Sequence, residues 1–298
     1  MIPLTQHDPG AGPKTTTIAA GGRNLSRRVA SALVLIPFGL ITTYVGGWLF
    51  FAVCAIGAGI VLWEWTTLAV RSADPRILVP GVVAFLAATV FGGEGQPGAA
   101  FGSIAIGALL AAGIMAATPR RSPLAGGIVW EAGGVVYAGA ALVSSIMLRN
   151  DPELGLTALL FLFATVWTTD VFAYLSGRYF GGPLLWPRVS PNKTWSGALG
   201  GLVGGVAAGG LVAYASDGTN PAVAGVLALV LSIVAQGGDL FESAVKRRFG
   251  AKDASSLIPG HGGVMDRLDG FIFAAMAAVL IGMARGGMAA PARGLLVW

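Results

Sequence analysis

Apolar runs long enough to cross a bilayer recur along the whole chain. At a rise of about 1.5 Å per residue, a helix of about 17–25 apolar residues spans the hydrocarbon core. Nine stretches meet this length: 29–45, 48–69, 77–92, 99–117, 126–147, 155–176, 196–215, 221–241 and 268–285. Inside lipid every backbone polar group needs an internal partner, which leaves only helices or closed barrels. Barrel strands would show ten-residue segments of alternating polarity, and that pattern is absent. The expectation is an all-α polytopic integral membrane bundle of about nine transmembrane helices. Composition agrees: 55% of residues are hydrophobic and 11% charged, against about 25% charged in a soluble domain. The 46 glycines suit close helix packing in lipid.

Gly, Pro, Asn and Asp punctuate the spans, at Gly46-Gly47, Asp74-Pro75, 92–98, 119–123, Asn150 to Pro152 and 216–221; these are the residues turn chemistry favours. Residues 1–25 carry no periodic apolar pattern and read as a disordered cytoplasmic tail. Residues 26–150 read as N-terminal transmembrane helices, about five of them. Residues 151–298 read as a catalytic transmembrane region with cytoplasmic segments 177–195 and 242–267. Ser26-Arg27-Arg28 before an apolar run resembles a twin-arginine signal. No small-residue cleavage site follows, so the reading is a retained first helix, kinked at Pro37. The single cysteine, Cys54, excludes an internal disulfide and a cysteine-based zinc site. No internal repeat is found, against an inverted-repeat transporter.

The basic residues orient the spans. With the N-terminus inside, sixteen of the 19 lysines and arginines fall on inner segments; only Arg149, Arg285 and Arg293 fall outside. Such a bias places the N-terminus in the cytoplasm and the C-terminus outside. It puts 177–195 and 242–267 on the same, cytoplasmic side. The net charge of +5 therefore reflects topology, and no nucleic-acid partner is expected.

Chemistry concentrates in 236–270, a polar segment holding five acidic residues, five basic residues and His261. Charge beside lipid is costly unless it functions. Asp239 lies near the end of span eight; Asp266 and Asp269 start span nine, three residues apart and so on one face. Clustered carboxylates without His or Cys suit a hard cation such as Mg²⁺, with substrate phosphates completing its shell. Lys246, Arg247, Arg248 and Lys252 supply cations beside them, and the backbone of 259–263, which includes Gly262 and Gly263, could approach a phosphate. This is the kit for transfer at phosphorus. Taken singly, the basic residues read equally as topology anchors, Asp266 as a helix cap and Asp253 as a loop residue.

From Ser243 the chain reads S-x-x-K-R-x(4)-K-D-x(5)-P-G-H-G-G-x-x-D-R-x-D, through Lys246-Arg247, Lys252-Asp253, Pro259 to Gly263, and Asp266-Arg267-Leu268-Asp269. It resembles the signature of the phosphatidate cytidylyltransferases (CDP-diacylglycerol synthases). The preceding Gln236 to Ser243 is also similar to the family's Q-x-G-D-L-x-E-S. A second segment agrees: Asp170-Val-Phe-Ala-Tyr174, then Gly177-Arg178, then Arg188-Val-Ser190-Pro-Asn192-Lys193-Thr-Trp195. Ser196 stands where the family usually has Glu, and Gly182 where many members have Lys. Trp63-Glu64-Trp65 resembles a family feature of an early span.

The resemblance implies transfer of CMP from CTP to phosphatidate, giving CDP-diacylglycerol and pyrophosphate. The implied catalytic residues are Asp239, Lys246, Arg247, Asp266 and Asp269, with Asp239, Asp266 and Asp269 holding Mg²⁺. The family adds a second cation, such as K⁺. Substrate contacts are expected from Asp170, Arg178, Ser190, Asn192, Lys193, Ser243, Lys252, Asp253, His261, Gly262, Gly263 and Arg267. Phosphatidic acid would come from the cytoplasmic leaflet of a bacterial-type inner membrane, and the resemblance suggests a homodimer. Two alternatives stand beside this: a related enzyme acting on another lipid phosphate, and an ion-coupled transporter. The DDxxD pattern of prenyltransferases and the D-G-x-x-A-R motif of CDP-alcohol phosphotransferases are absent.

Overall fold

A computed structural model describes residues 18–118, 127–216, 218–258 and 262–298, with side chains from Ser31 onward except Ala32. Every expected span is a helix. The order is α1 (Ile18–Val45), α2 (Gly47–Val70), α3 (Pro75–Gly93), α4 (Pro97–Ala117), α5 (Ile128–Arg149), α6 (Gly155–Phe180), α7 (Trp195–Tyr214), α8 (Pro221–Arg248) and α9 (Met265–Gly286). Among the described residues α2 through α9, eight helices, are long and apolar enough to cross a membrane. The apolar part of α1 is Leu33–Val45. Of the tail expected over 1–25, residues 1–17 lie outside the described residues, and the backbone is already helical from Ile18.

The breaks work as helix starts. Asp74 accepts a hydrogen bond from the Arg76 backbone N–H at 2.9 Å, with Pro75 in the first helical position. Asn220 accepts from Ala222 N–H at 3.1 Å ahead of Pro221. Both satisfy backbone donors that a helix N-terminus leaves free.

Three features depart from the expected picture. The 177–195 segment is no plain loop: α6 runs on to Phe180, and β1 (Leu184–Trp186) pairs antiparallel with β2 (Ser190–Thr194). The all-helical bundle thus carries one small hairpin. After α9 a short helix, α10 (Pro291–Leu296), folds back on it, its backbone pressed on Gly282 and Gly286. Similarly, α8 does not stop near residue 241 but continues to Arg248, so Glu242, Ser243, Lys246 and Arg247 are helical.

Glycines set the helix spacing on the site's side of the bundle. On α7, a Cβ at Gly201 would lie 2.9 Å from the Thr169 carbonyl of α6, and one at Gly209 would lie 2.6 Å from Ala228 Cβ of α8 and 2.9 Å from Phe161. Only bare backbone fits, as in other small-residue contacts between membrane helices. Where α6 and α8 meet across it, buried Thr169 and Ser232 hydroxyls bond at 2.6 Å.

An aromatic seam joins α2 and α5 to α8 and α9. Trp65 lies 5.1 Å from Tyr137 and 6.4 Å from Phe241, and Phe241 lies 5.2 Å from Phe273, between ring centroids. Trp65 Nε1–H donates to the Trp130 carbonyl at 2.7 Å. Arg71, just past α2, donates to the Phe249 carbonyl past α8, and Arg248 sits 5.2 Å over the Trp130 ring. One end of the bundle therefore gathers the C-terminal ends of α2 and α8 and the N-terminal end of α5. At the other end Arg149 bonds the Thr43 carbonyl at 2.7 Å and Asn150 the Gly92 carbonyl at 3.2 Å.

Candidate active site

A cavity of about 440 Å³ opens where α6, α7, α8, α9 and the hairpin come together. Its size falls within the range of about 300–1,000 Å³ usual for small-molecule sites. Asp170 and Tyr174 line it from α6, Ser190, Asn192 and Lys193 from β2, Gln236, Asp239 and Lys246 from α8, Asp253 from the following segment, and Asp266, Arg267 and Asp269 from α9. Two sequence segments separated by 41 residues, 170–194 and 236–269, therefore share one site.

The convergence has a local cause. A Cβ on Gly238 would lie 2.7 Å from the Asp269 carbonyl, and one on Gly270 would lie 3.1 Å from the Ala235 carbonyl. Helices α8 and α9 thus cross backbone to backbone at Gly238 and Gly270. The neighbouring Asp239 and Asp269 follow from that crossing into one cavity.

The hairpin brings the opposite charge. Lys193 Nζ forms an ion pair with Asp239 Oδ2, and Ser243 Oγ lies 3.5 Å from Asp239 Oδ1. Arg247 fastens this hairpin: it donates to the Val189 carbonyl at 3.4 Å and to the Ala251 carbonyl at 3.2 Å. Thr194, a residue no site reading singled out, accepts from Gly197 N–H at 3.1 Å and so starts α7 at the cavity wall.

A second charged group lies at the cavity wall. Lys246 Nζ is 2.5 Å from both Glu242 Oε2 and Asp266 Oδ1. Glu242 and Asp266 are buried. Burying such charges is tolerated only when they are paired. Asp266 also accepts, on Oδ2, the N–H groups of Ala254 at 3.0 Å and Gly263 at 2.7 Å. Asp269 Oδ1 accepts its neighbour Gly270's N–H at 2.7 Å.

These contacts explain the paired glycines. Gly262 has φ +85°, and a Cβ there would lie 2.7 Å from Asp266 Oδ2; a Cβ on Gly263 would lie 2.5 Å from Glu64 Oε1. The expectation was an amide offered to a phosphate. Here the Gly263 N–H is used within the chain, and both glycines admit a carboxylate.

Of the expected residues, Asp170, Ser190, Asn192, Lys193, Asp239, Lys246, Asp253, Asp266, Arg267 and Asp269 line the cavity. Arg178, Ser243, Arg247, Lys252, Gly262 and Gly263 do not; Arg178 instead donates to the Tyr174 hydroxyl at 2.7 Å. His261 lies outside the described residues. Sequence reasoning placed Gln236, Glu242 and Glu64 within family-like motifs but gave none of them a role at the site. Glu242 could have been noticed as the carboxylate four residues before Lys246; nothing local marks Glu64's partners.

Among the described residues no group of three or more His, Cys, Asp or Glu is gathered closely enough to hold a metal ion. The donor chemistry nevertheless fits a hard cation: the cavity's acidic lining is all carboxylate, and the Lys193 and Lys246 ammonium groups sit against Asp239 and Asp266 as a cation would.

Comparison with known proteins places the chain. The model of the cytidylyltransferase family matches residues 26–283. A phosphatidate cytidylyltransferase of Brucella abortus (biovar 1, strain 9-941) is 44% identical over 269 residues, covering 87% of this chain and 93% of the relative. One of Haemophilus influenzae is 35% identical over 277 residues, covering 82% and 94%. One of Bacillus subtilis is 38% identical over 139 residues, covering 46% and 52%. With a cavity of carboxylates and lysines built from both of its signature segments, and a match along most of its length, the chain belongs to the cytidylyltransferase family.

Proposed function

We propose that the protein is a phosphatidate cytidylyltransferase: a phosphate oxygen of phosphatidate attacks the α-phosphorus of CTP, the bond from that phosphorus to the bridging oxygen breaks, and pyrophosphate leaves. The observation that carries this is the single cavity in which Lys193 and Arg267 face Asp170, Asp239 and Asp269 at one end of a membrane bundle. A phosphate monoester is already an anion at neutral pH, so the site needs positioning and charge neutralisation more than a strong base. Lys193, Lys246 and Arg267 neutralise the phosphates. Ser190 and Asn192, on the hairpin, hydrogen-bond CTP.

Asp239, Asp266 and Asp269 would hold Mg²⁺, and Asp266 would exchange the Lys246 ammonium on Oδ1 for it. Bound there, the ion supplies Lewis-acid stabilisation of the charge that builds on the transferred phosphoryl group. The basic residues support a cytoplasmic N-terminus and a cytoplasmic cavity, and the bacterial relatives support the inner membrane. Both substrates then reach the site from one side.

The test is purified protein in detergent with labelled CTP, Mg²⁺ and a panel of lipid phosphates. Labelled CDP-diacylglycerol and stoichiometric pyrophosphate are expected with phosphatidate. Turnover of an isoprenoid phosphate alone would reassign the lipid.

A further inference from the structure

Glu64 lies in the C-terminal third of the apolar helix α2, far in sequence from either signature segment, and its side chain is fully buried. Among the described residues it forms no ion pair with a lysine or arginine. Instead it accepts three hydrogen bonds from one region: Ser255 Oγ at 2.6 Å, Val264 N–H at 2.9 Å and Met265 N–H at 2.6 Å. Val264 and Met265 are the cap and the first residue of α9. Their N–H groups are among those a helix N-terminus leaves unsatisfied, and the helix dipole there favours a negative charge. The usual cap is a short polar side chain beside the helix in sequence. Val264 can offer none, and makes no side-chain cap. The cap comes from another helix.

Two carboxylates thereby grip one segment. Asp266 takes the amides of Ala254 and Gly263 from within α9, and Glu64 takes Ser255, Val264 and Met265 from α2. Gly263 has no side chain because Glu64 occupies its place. Arg267 and Asp269 sit two and four residues beyond Met265, on the turn whose start Glu64 fixes, and both line the cavity.

We propose that Glu64 is a positioning residue for the transfer reaction: by capping α9 from α2 it sets the depth and rotation of the turn that presents Arg267 and Asp269 to the substrates. The proposal rests on the cytidylyltransferase reading for its kinetic readout. In-line transfer is sensitive to displacements of about 1 Å, and outer-shell partners that orient active groups change activity by about 10- to 100-fold when removed. Gln at this position keeps the size but offers one acceptor oxygen, and its NH₂ then opposes the second backbone N–H.

The experiment compares wild type, Glu64→Gln and Glu64→Ala in detergent, reading kcat and the KM for CTP, the melting midpoint, and hydrogen exchange of peptides containing Val264 and Met265. The expected result is a kcat lower by about 10- to 100-fold in Glu64→Gln, a CTP KM within about threefold, a melting midpoint within a few degrees of wild type, and faster exchange confined to the start of α9. Activity within twofold of wild type in Glu64→Gln overturns the proposal. So does loss of activity that merely follows loss of folded protein in both variants. A wild-type protein inactive on every lipid phosphate sinks the proposed function instead; local exchange at Val264 and Met265 then decides whether Glu64 sets this turn.

Discussion

Asp266→Asn tests the tightest knot in the site. The carboxylate bonds the Lys246 ammonium at 2.5 Å on one oxygen, and the Ala254 and Gly263 amides at 3.0 and 2.7 Å on the other. Asparagine has one acceptor oxygen. Turned toward the two amides, it points its NH₂ at the ammonium and forfeits a charged hydrogen bond; turned the other way, it forfeits two amide bonds. The first choice is cheaper and costs about 1.5–3 kcal/mol. Lys246 keeps Glu242 at 2.5 Å on its own helix, and α8 and α9 stay joined at the Gly238–Gly270 crossing, so the protein still inserts. The two amides then bond a neutral oxygen, and each bond weakens by about 1 kcal/mol; at about 1.4 kcal/mol per tenfold, release of Ala254 and Gly263 becomes roughly 30-fold more frequent. Hydrogen exchange at Ala254 and Gly263 should accelerate by this factor, while the α6–α7 core is unchanged. CTP-dependent release of pyrophosphate should fall at least as far, since the same substitution removes a carboxylate proposed to hold Mg²⁺. A folded variant with wild-type exchange and full activity would refute both the clamp and the metal assignment.

Lys193→Met removes the partner of Asp239 and a cation beside the triphosphate; CTP KM should rise about tenfold or more, read by initial rates over a CTP titration. Chelation with EDTA should abolish turnover, and Mg²⁺ should restore it where Zn²⁺ does not, because the proposed ligands Asp239, Asp266 and Asp269 are all carboxylates. Gly209→Leu drives a side chain into Ala228 and Phe161; about 1–3 kcal/mol of destabilisation is expected, seen as a lower melting midpoint in detergent with little change in the KM of the folded fraction.

The spans were legible because hydrocarbon imposes one solution on an apolar run, and each helix appears where a run does. The hairpin was not, because Leu184 to Thr194 has neither length nor alternation to mark strands; it exists because Arg247 and the α6–α7 junction hold its ends. At the site, spacing in the 236–270 segment identified Asp239, Asp266 and Asp269 as cavity residues. It could not reveal that Arg247 faces two carbonyls rather than the cavity, since one helical position more or less changes the face a side chain takes. Glu64 was out of reach for another reason. Its three donors are about 190–200 positions away, two of them are backbone amides, and backbone amides leave no trace in side-chain patterns.

The glycine face of α7 bears on how the chain assembles. Its contacts are with α6 and α8, the helices made immediately before and after it, so this sector closes through short loops. Contacts local in sequence form early and at little entropic cost. The grip of Glu64 on Met265 spans 201 positions and has to wait for α9 to enter the membrane. Synthesis therefore builds the walls of the cavity first and leaves α9's start, and with it Arg267 and Asp269, to be set last. A nascent chain that has not yet threaded α9 is a packed membrane protein without a competent site.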